Sequence, residues 1–394
     1  MQMRHRDFNR KLPVSVDFDS CKCLSLPFLQ KPPLLICQLP TVMATMVMES
    51  IGRVFISLQQ IRQVPRLLTE AAPSMPDTVT DSEVPVYFRE RYIFTGYRPL
   101  EQSWRYYFLS LFQRHNETVN VWTHLLAFLL LLGKLRHLAD MVDFSNDPHS
   151  WPLLILMLSS LTYSAFSVAA HLLGGKCELF HYLFYFLDYV GVAQYQYGSA
   201  VAHFYYAVDE TMYRNTQGIF MPAATILSCL SCLGCCYGKY CNHTLPCWVR
   251  KVCQVVPSML GYLWDSSPVA KRLLLWSSDD PAVAYHFGQV GFFLSCAFFF
   301  TFPLVERCLP GRCDFVGQSH QMFHVLLSCC TFCQIHASYL DYVHRRQLYS
   351  NLHEKGDAAL FVGLYMLTLV GCALITAFML RKVKLVLDFK IKSK

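Results

Sequence analysis

Eight apolar runs follow one another through the chain, at 119–135, 152–173, 179–203, 219–237, 249–264, 283–304, 319–340 and 358–380, each separated from the next by a polar stretch. A helix that crosses a bilayer needs about 20 mainly apolar residues, and most of these runs supply them. The first is interrupted near its end by Lys134 and Arg136, and the fifth is short and carries Pro257. The pattern predicts an all-α polytopic membrane bundle of eight spans, with seven as the alternative.

The part before the first run has a different texture. Residues 1–42 are polar and hold Pro13, Pro27, Pro32, Pro33 and Pro40, a composition that cannot bury a core and reads as disordered. Met43-Ala-Thr-Met46 has the look of a start, which makes 1–42 an upstream extension. Over 46–72, Val47, Ile51, Val54, Phe55, Leu58 and Ile61 recur at helical spacing with Arg53, Arg62 and Arg66 among them, as in an amphipathic helix lying on a surface. After a Pro/Asp/Ser linker at 73–85 comes an aromatic, basic segment at 87–114 suited to the membrane interface. The expected organisation is an extension at 1–42, a cytoplasmic N-terminal region at 43–118, a transmembrane bundle at 119–380 and a basic cytoplasmic tail at 381–394.

Composition agrees. Of 394 residues, 54% are hydrophobic and 15% charged, whereas soluble domains carry about 25% charged residues. The net charge of +7 owes much to 381–394, where six Lys/Arg stand against one Asp; a juxtamembrane tail of this kind meets anionic lipid rather than nucleic acid. Most of the 18 cysteines lie in or beside apolar runs. Cys229, Cys232, Cys235 and Cys236 have no second paired motif and read as small helix-packing residues. No secretory signal opens the chain, so the first span is expected to act as the internal signal.

Lys/Arg in the loops set the orientation. With the N-terminus inside, the inner loops carry Lys176, Lys239, Arg250, Lys251, Arg307 and Arg312, and the outer loops Lys134, Arg136, Arg214, Lys271, Arg272, Arg345, Arg346 and Lys355. The loops are nearly balanced. The basic tail decides, and an even number of spans places it inside.

Polar residues at membrane depth mark function by default. His320 and His324 are four apart and share a helical face, as do Ser167 and His171 in the second run; Asp188 stands in the third. The alternation of spans brings all five to the cytoplasmic leaflet. Three histidines supply imidazole nitrogen to a divalent cation, with zinc favoured. Asp188 would hold a bound water, and Ser167 would hydrogen-bond behind it or stabilise an oxyanion. Glu117, Asn120 and His124, on one face at the start of the first run, would be either supporting partners of the metal or a helix N-cap network. Gln194 and Gln196, flanked by Tyr195 and Tyr197, would be either interhelical packing or polar anchors for a ligand.

The set Glu-x-x-Asn-x-x-x-His, Ser-x-x-x-His, Asp188 and His-x-x-x-His resembles the progestin and adipoQ receptor family. Supporting stretches are Tyr92-Ile-Phe-Thr-Gly-Tyr-Arg-Pro99, Trp104-Arg-Tyr-Tyr-Phe108, Phe112-Gln-Arg-His-Asn-Glu117, Asn120-Val-Trp-Thr-His-Leu125 and Tyr195-Gln-Tyr-Gly-Ser199. The resemblance covers about 43–394. It implies a seven-helix core with an eighth transmembrane helix, a cytoplasmic N-terminus, and zinc on His171, His320 and His324, with Asp188 contacting zinc-bound water beside Ser167. It further implies a progestin receptor at the plasma membrane, with some of it in the endoplasmic reticulum, coupled to inhibitory heterotrimeric G proteins and serving oocyte maturation. The wider superfamily includes ceramidases, so a zinc-dependent lipid amide hydrolase using Asp188 and Ser167 is the alternative.

Both sequons, Asn116-Glu-Thr118 and Asn242-His-Thr244, fall on the cytoplasmic side of this topology. Endoglycosidase treatment of the expressed chain is therefore expected to leave its gel mobility unchanged. A shift abolished by Asn242→Gln would contradict the orientation.

Overall fold

The computed structural model describes residues 75–241, 244–275 and 279–392. The amphipathic helix expected over 46–72, the extension at 1–42 and the sequon at Asn242 lie outside them. All eight apolar runs are helical: α1 Thr118–Ala139, α2 Trp151–Leu173, α3 Glu178–Ala202, α4 Phe220–Tyr240, α5 Cys247–Asp265, α6 Val283–Thr301, α7 Ser319–His344 and α8 Lys355–Lys392. A helix satisfies its own backbone polar groups, which hydrocarbon cannot do for it. No strand forms among the described residues; Val79 and Tyr97 make one isolated bridge. The protein is an all-α polytopic membrane bundle.

Several bounds differ from those expected. Lys134 and Arg136 do not end α1, which continues to Ala139, with Arg136 3.5 Å from Asp140 one turn on. Beyond Ala202, the third helix widens into one π-helical turn at His203–Ala207. The basic residues from 381 to 392 continue α8 instead of leaving it. Five helices, α1, α2, α4, α6 and α8, are long and apolar enough to cross a membrane by length and composition alone. The other three, α3, α5 and α7, are the ones that carry Asp188, Asp265, His320, His324 and Asp341.

Consecutive helices from α1 to α5 pack against one another, α6 packs on α7, and α7 returns to α1. Tyr262 of α5 stacks on Phe293 of α6, with ring centroids 3.5 Å apart, and closes the circuit. The eighth helix lies against α3 and α4. The α2–α3 contact is close because α3 presents glycine there. A Cβ on Gly191 would come within 2.7 Å of the Tyr163 backbone, and Gly198, seven residues on and on the same face, sits against Ser159. Leu129 and Leu130 of α1, Leu294 of α6 and Leu367 and Leu374 of α8 remain exposed, as lipid-facing residues should.

The end of the bundle where α1, α3, α5 and α7 begin is called proximal here, and the opposite end distal. The segment before α1 is fastened to the proximal end. Asp314 accepts the Phe94 and Thr95 amides and the Thr95 hydroxyl. Tyr107 donates to the carbonyls of Pro99 and Gly175. The first sequon asparagine, Asn116, is buried, and its carbonyl accepts from Gln318.

The distal end is held by ions that the hydropathy pattern did not reveal. Asp341, 1% exposed, accepts from Arg272 at 2.6 Å and lies 2.9 Å from the His286 ring; Arg272 also binds Asp280. Gln289 joins His286 to His203, and Gln334 joins His203 to Tyr195. Removing one partner of a buried charge pair leaves the other uncompensated, at a cost of about 3–5 kcal/mol. Asp341→Ala is therefore expected to lower the melting temperature in detergent sharply. Lys271→Gln, which breaks the half-exposed pair with Asp209, should cost under about 1 kcal/mol. Equal melting of the two variants would contradict this account.

Candidate metal centre

At the proximal end, the entry into α7 is shaped by Gly317, whose φ of +95° only glycine adopts without strain. The Gln321 side chain accepts the Gly317 amide at 2.8 Å, and Glu306 accepts the Ser319 amide and hydroxyl at 2.9 and 2.6 Å. These bonds satisfy the open N–H groups of the first turn. His320 and His324 follow, one turn apart. Across from them, His171 stands in the last turn of α2, where Arg98 donates to the carbonyls of His171 and Leu172, at 2.6 Å each. A cation at a helix C-terminus satisfies its last carbonyls and its dipole together.

The three rings converge. Nε2 of His320 lies 3.3 Å from Nε2 of His171 and 3.1 Å from Nε2 of His324, and one nitrogen from each ring falls within 4.8 Å of the others. On His171 and His324 the opposite nitrogen is already engaged. His171 Nδ1 is 2.7 Å from Glu117 Oε2, and His324 Nδ1 is 3.2 Å from the Asn120 carbonyl and 3.1 Å from the Thr123 hydroxyl. A carbonyl and a carboxylate only accept, so the network assigns protons to both Nδ1 atoms and leaves both Nε2 lone pairs pointing inward. Inward-facing lone pairs in a buried site need a proton or a metal cation between them. His171, His320 and His324 are thus a group that can hold a metal ion.

The supporting side chains sort themselves. Glu117 accepts from Asn120 Nδ2 at 2.6 Å as well as meeting His171; its side chain caps no backbone group of α1, so the N-cap reading does not describe it. Burial alone would push the Glu117 carboxyl up, but the His171 ring and the Asn120 amide hold it below the usual carboxylate range. His124 stacks on His324 with centroids 3.7 Å apart and planes within 6°. The Ser167 hydroxyl is buried without a hydrogen-bond partner among the described residues. Asp188 makes no hydrogen bond to the histidines; its carboxylate is within electrostatic reach of His171 and of Lys239 on α4.

The two glutamines are not brought together. Gln194 turns to Cys372 on α8, and Gln196 turns to Gly261 and Asp265 on α5. Neither lines the cavity of about 700 Å³ that opens beside Glu117, His171 and His320 between the aromatic walls of Tyr185, Tyr189, Phe299 and Phe300. Cys232, Cys235 and Cys236 are free and buried in α4, as expected of packing residues. Sequence reasoning missed Arg98 and Thr123. Arg98 lay in the Gly-Tyr-Arg-Pro stretch used for the resemblance, and its pairing with carbonyls has no sequence signature.

Comparison with known proteins agrees with the motif set. The haemolysin-III-related family profile matches residues 112–335. Membrane progestin receptor alpha-B of Danio rerio is 56% identical over 346 residues, covering 86% of this chain and 97% of that protein. Human membrane progestin receptor alpha is 49% identical over 340 residues, covering 85% and 96%. Human membrane progestin receptor beta is 47% identical over 348 residues, covering 87% and 98%. The chain belongs to the haemolysin-III-related family that contains these membrane progestin receptors, the progestin and adipoQ receptor family.

Proposed function

We propose that the chain is a progestin receptor of the plasma membrane, of the alpha type, and that its proximal end faces the cytoplasm. The observation that carries this reading is its likeness to named receptors over nearly their whole length. The cavity of about 700 Å³ supports it, since small-molecule sites run about 300–1,000 Å³. A steroid needs few polar anchors. Neither Gln194 nor Gln196 lines that cavity, so a steroid seated in it would take its polar anchor from the cavity's own lining; a ring oxygen at either carboxamide, each of which keeps a buried atom without a hydrogen-bond partner among the described residues, would mark a separate site. Signalling would run through an inhibitory heterotrimeric G protein and membrane lipids at the cytoplasmic face, in oocyte maturation.

Zinc is the proposed occupant of His171, His320 and His324. The nitrogen separations of 3.1 and 3.3 Å are close to the roughly 3.3 Å edge of a tetrahedron with zinc–nitrogen bonds of about 2.0–2.1 Å. Zinc supplies positive charge and lowers the pKa of any water it holds. The chain's own groups do the rest: Glu117 keeps the His171 proton on Nδ1, the Asn120 carbonyl and Thr123 do the same for His324, and Asp188, within electrostatic reach of His171, would orient a water beside the site.

The buried, unpartnered Ser167 hydroxyl supports a second reading. As a lipid amide hydrolase, the chain would use Asp188 as base and Ser167 to stabilise the oxyanion of a ceramide-like substrate.

Two measurements test these readings. Membranes expressing the full chain are expected to bind radiolabelled progesterone saturably, in wild type and in Asp188→Ala, with no ceramide turnover in either. Turnover that Asp188→Ala abolishes, without saturable steroid binding, would sink the receptor. Glu117→Gln should weaken zinc retention against a chelator by about 10–100-fold, as loss of a histidine-orienting carboxylate does. Metal analysis that finds wild-type affinity in this variant would remove Glu117 from the site.

A further inference from the structure

The cavity beside the histidines has an unusual electrostatic lining. Arg89, Arg91, Lys239, Arg250 and Lys251 all face it, and none forms an ion pair among the described residues. Glu90 acts on Lys239 and Lys251, and Asp188 on Lys239, through longer-range attraction, while the direct contacts of the five cations are neutral. Lys251 donates to the Phe300 carbonyl at 2.7 Å, near the end of α6, and Lys239 lies 3.8 Å above the Tyr185 ring. Arg91 meets Cys247 Sγ, and Arg89 meets the Val84 carbonyl. Arg250 Nε is buried with no partner. Of the lining carboxylates, Glu117 serves His171 and Asn120, and Glu306 serves Ser319. Glu90 and Asp81 remain, against five cations.

The distal end shows what these cations lack. There Arg214 pairs with Glu210, Lys271 with Asp209, Arg272 with Asp280 and Asp341, and Arg346 with Asp147. Like charges gathered around one partly enclosed space raise its potential and concentrate anions in it. Arginine forks and lysine ammoniums around a single volume are the donors that phosphate takes. Two features favour a lipid as the carrier of that phosphate. The cavity is lined by the aromatic rings of Tyr185 and Tyr189 from α3 and Phe299 and Phe300 from α6, and α5 exposes the apolar side chains of Trp248, Val252 and Val256.

We propose that this cavity binds the phosphate headgroup of an anionic phospholipid from the proximal leaflet, held by Arg250 and Lys251 with Arg91 and Lys239 around them. Which leaflet this is rests on the cytoplasmic placement of the proximal end; binding itself does not, and is measured on the solubilised chain. The bound headgroup would stand beside the histidines, so an acidic lipid and a cavity ligand would sense one another there.

The test uses the full chain in detergent and a fluorescent short-chain phosphatidylinositol 4,5-bisphosphate, read by polarisation. Unlabelled phosphatidylinositol 4,5-bisphosphate and phosphatidic acid are expected to compete, and phosphatidylcholine is not. The double variant R250Q/K251Q should weaken binding about tenfold or more, as loss of charge-assisted hydrogen bonds does. Lys251→Arg should retain it, and Arg346→Gln at the distal end should bind as wild type. If the double variant does not fold, Arg91→Gln, an exposed side chain, carries the same test with a smaller loss. Competition by phosphatidylcholine equal to that of the acidic lipids would overturn the proposal, as would unaltered binding in folded R250Q/K251Q. Inorganic phosphate competing as well as phosphatidic acid would assign the site to the free anion and overturn the lipid.

Discussion

The proximal end depends on a single hydrogen bond between helices. Glu117, the residue before α1, and His171, in the last turn of α2, meet at 2.7 Å. That contact ties the start of one helix to the end of another, fixes the proton on the outer nitrogen of His171, and thereby turns the inner lone pair towards His320 and His324. Everything else at this end follows from keeping that geometry. Asn120 steadies Glu117 from within its own helix, Arg98 holds the backbone of His171, and Gln321 and Glu306 satisfy the first turn of α7 so that its histidines are presented in register.

The bundle resolves a conflict built into its composition. A chain made for lipid must still carry ionisable groups, and hydrocarbon tolerates them only when partnered. The solution is a division of labour among helices. The apolar α1, α2, α4, α6 and α8 meet the span criterion unaided, while α3, α5 and α7 carry Asp188, Asp265, His320, His324 and Asp341; the polar groups of both sets, His171 of α2 and His286 of α6 among them, turn inward. The two ends then use their polar residues differently. Distal ions neutralise one another in the network of Arg272, Asp280, His286 and Asp341 and stabilise the fold. Proximal groups stay open: among the described residues, three nitrogens face inward, a serine hydroxyl has no partner, and the cavity's cations form no ion pair.

Much of this was legible in the sequence. Runs of apolar residues fixed all eight helices, because in lipid length and hydropathy leave the backbone one economical conformation. The histidine group was legible too, because spacing of four placed His320 with His324 and the alternation of spans placed His171 beside them. What the pattern could not give were contacts that depend on side-chain direction across helices. Gln194 and Gln196, two apart, looked like a pair, yet residues two apart on a helix point to different neighbours, and the structure turns one to α8 and the other to α5. Asp341 lies just past the 319–340 run, and only folding brings Arg272 and His286 to it. The helical continuation of the tail to Lys392 was hidden because charge marks the end of a membrane span, not the end of a helix.

Arg98 gives the region before α1 mechanical authority over the site. Its guanidinium grips the carbonyls of His171 and Leu172, and its loop is anchored through Thr95 to Asp314. The loop leads into Trp104–Leu109, and from there the chain runs directly to Glu117. One continuous stretch of chain therefore holds a histidine by its backbone at one point and by its imidazole at another, as a hand holds a pen at two places. A partner that pulled on this stretch would tilt the His171 ring without touching it, and a change at the ring would be felt in the grip. The segment before α1 thus works as a lever arm on a buried group.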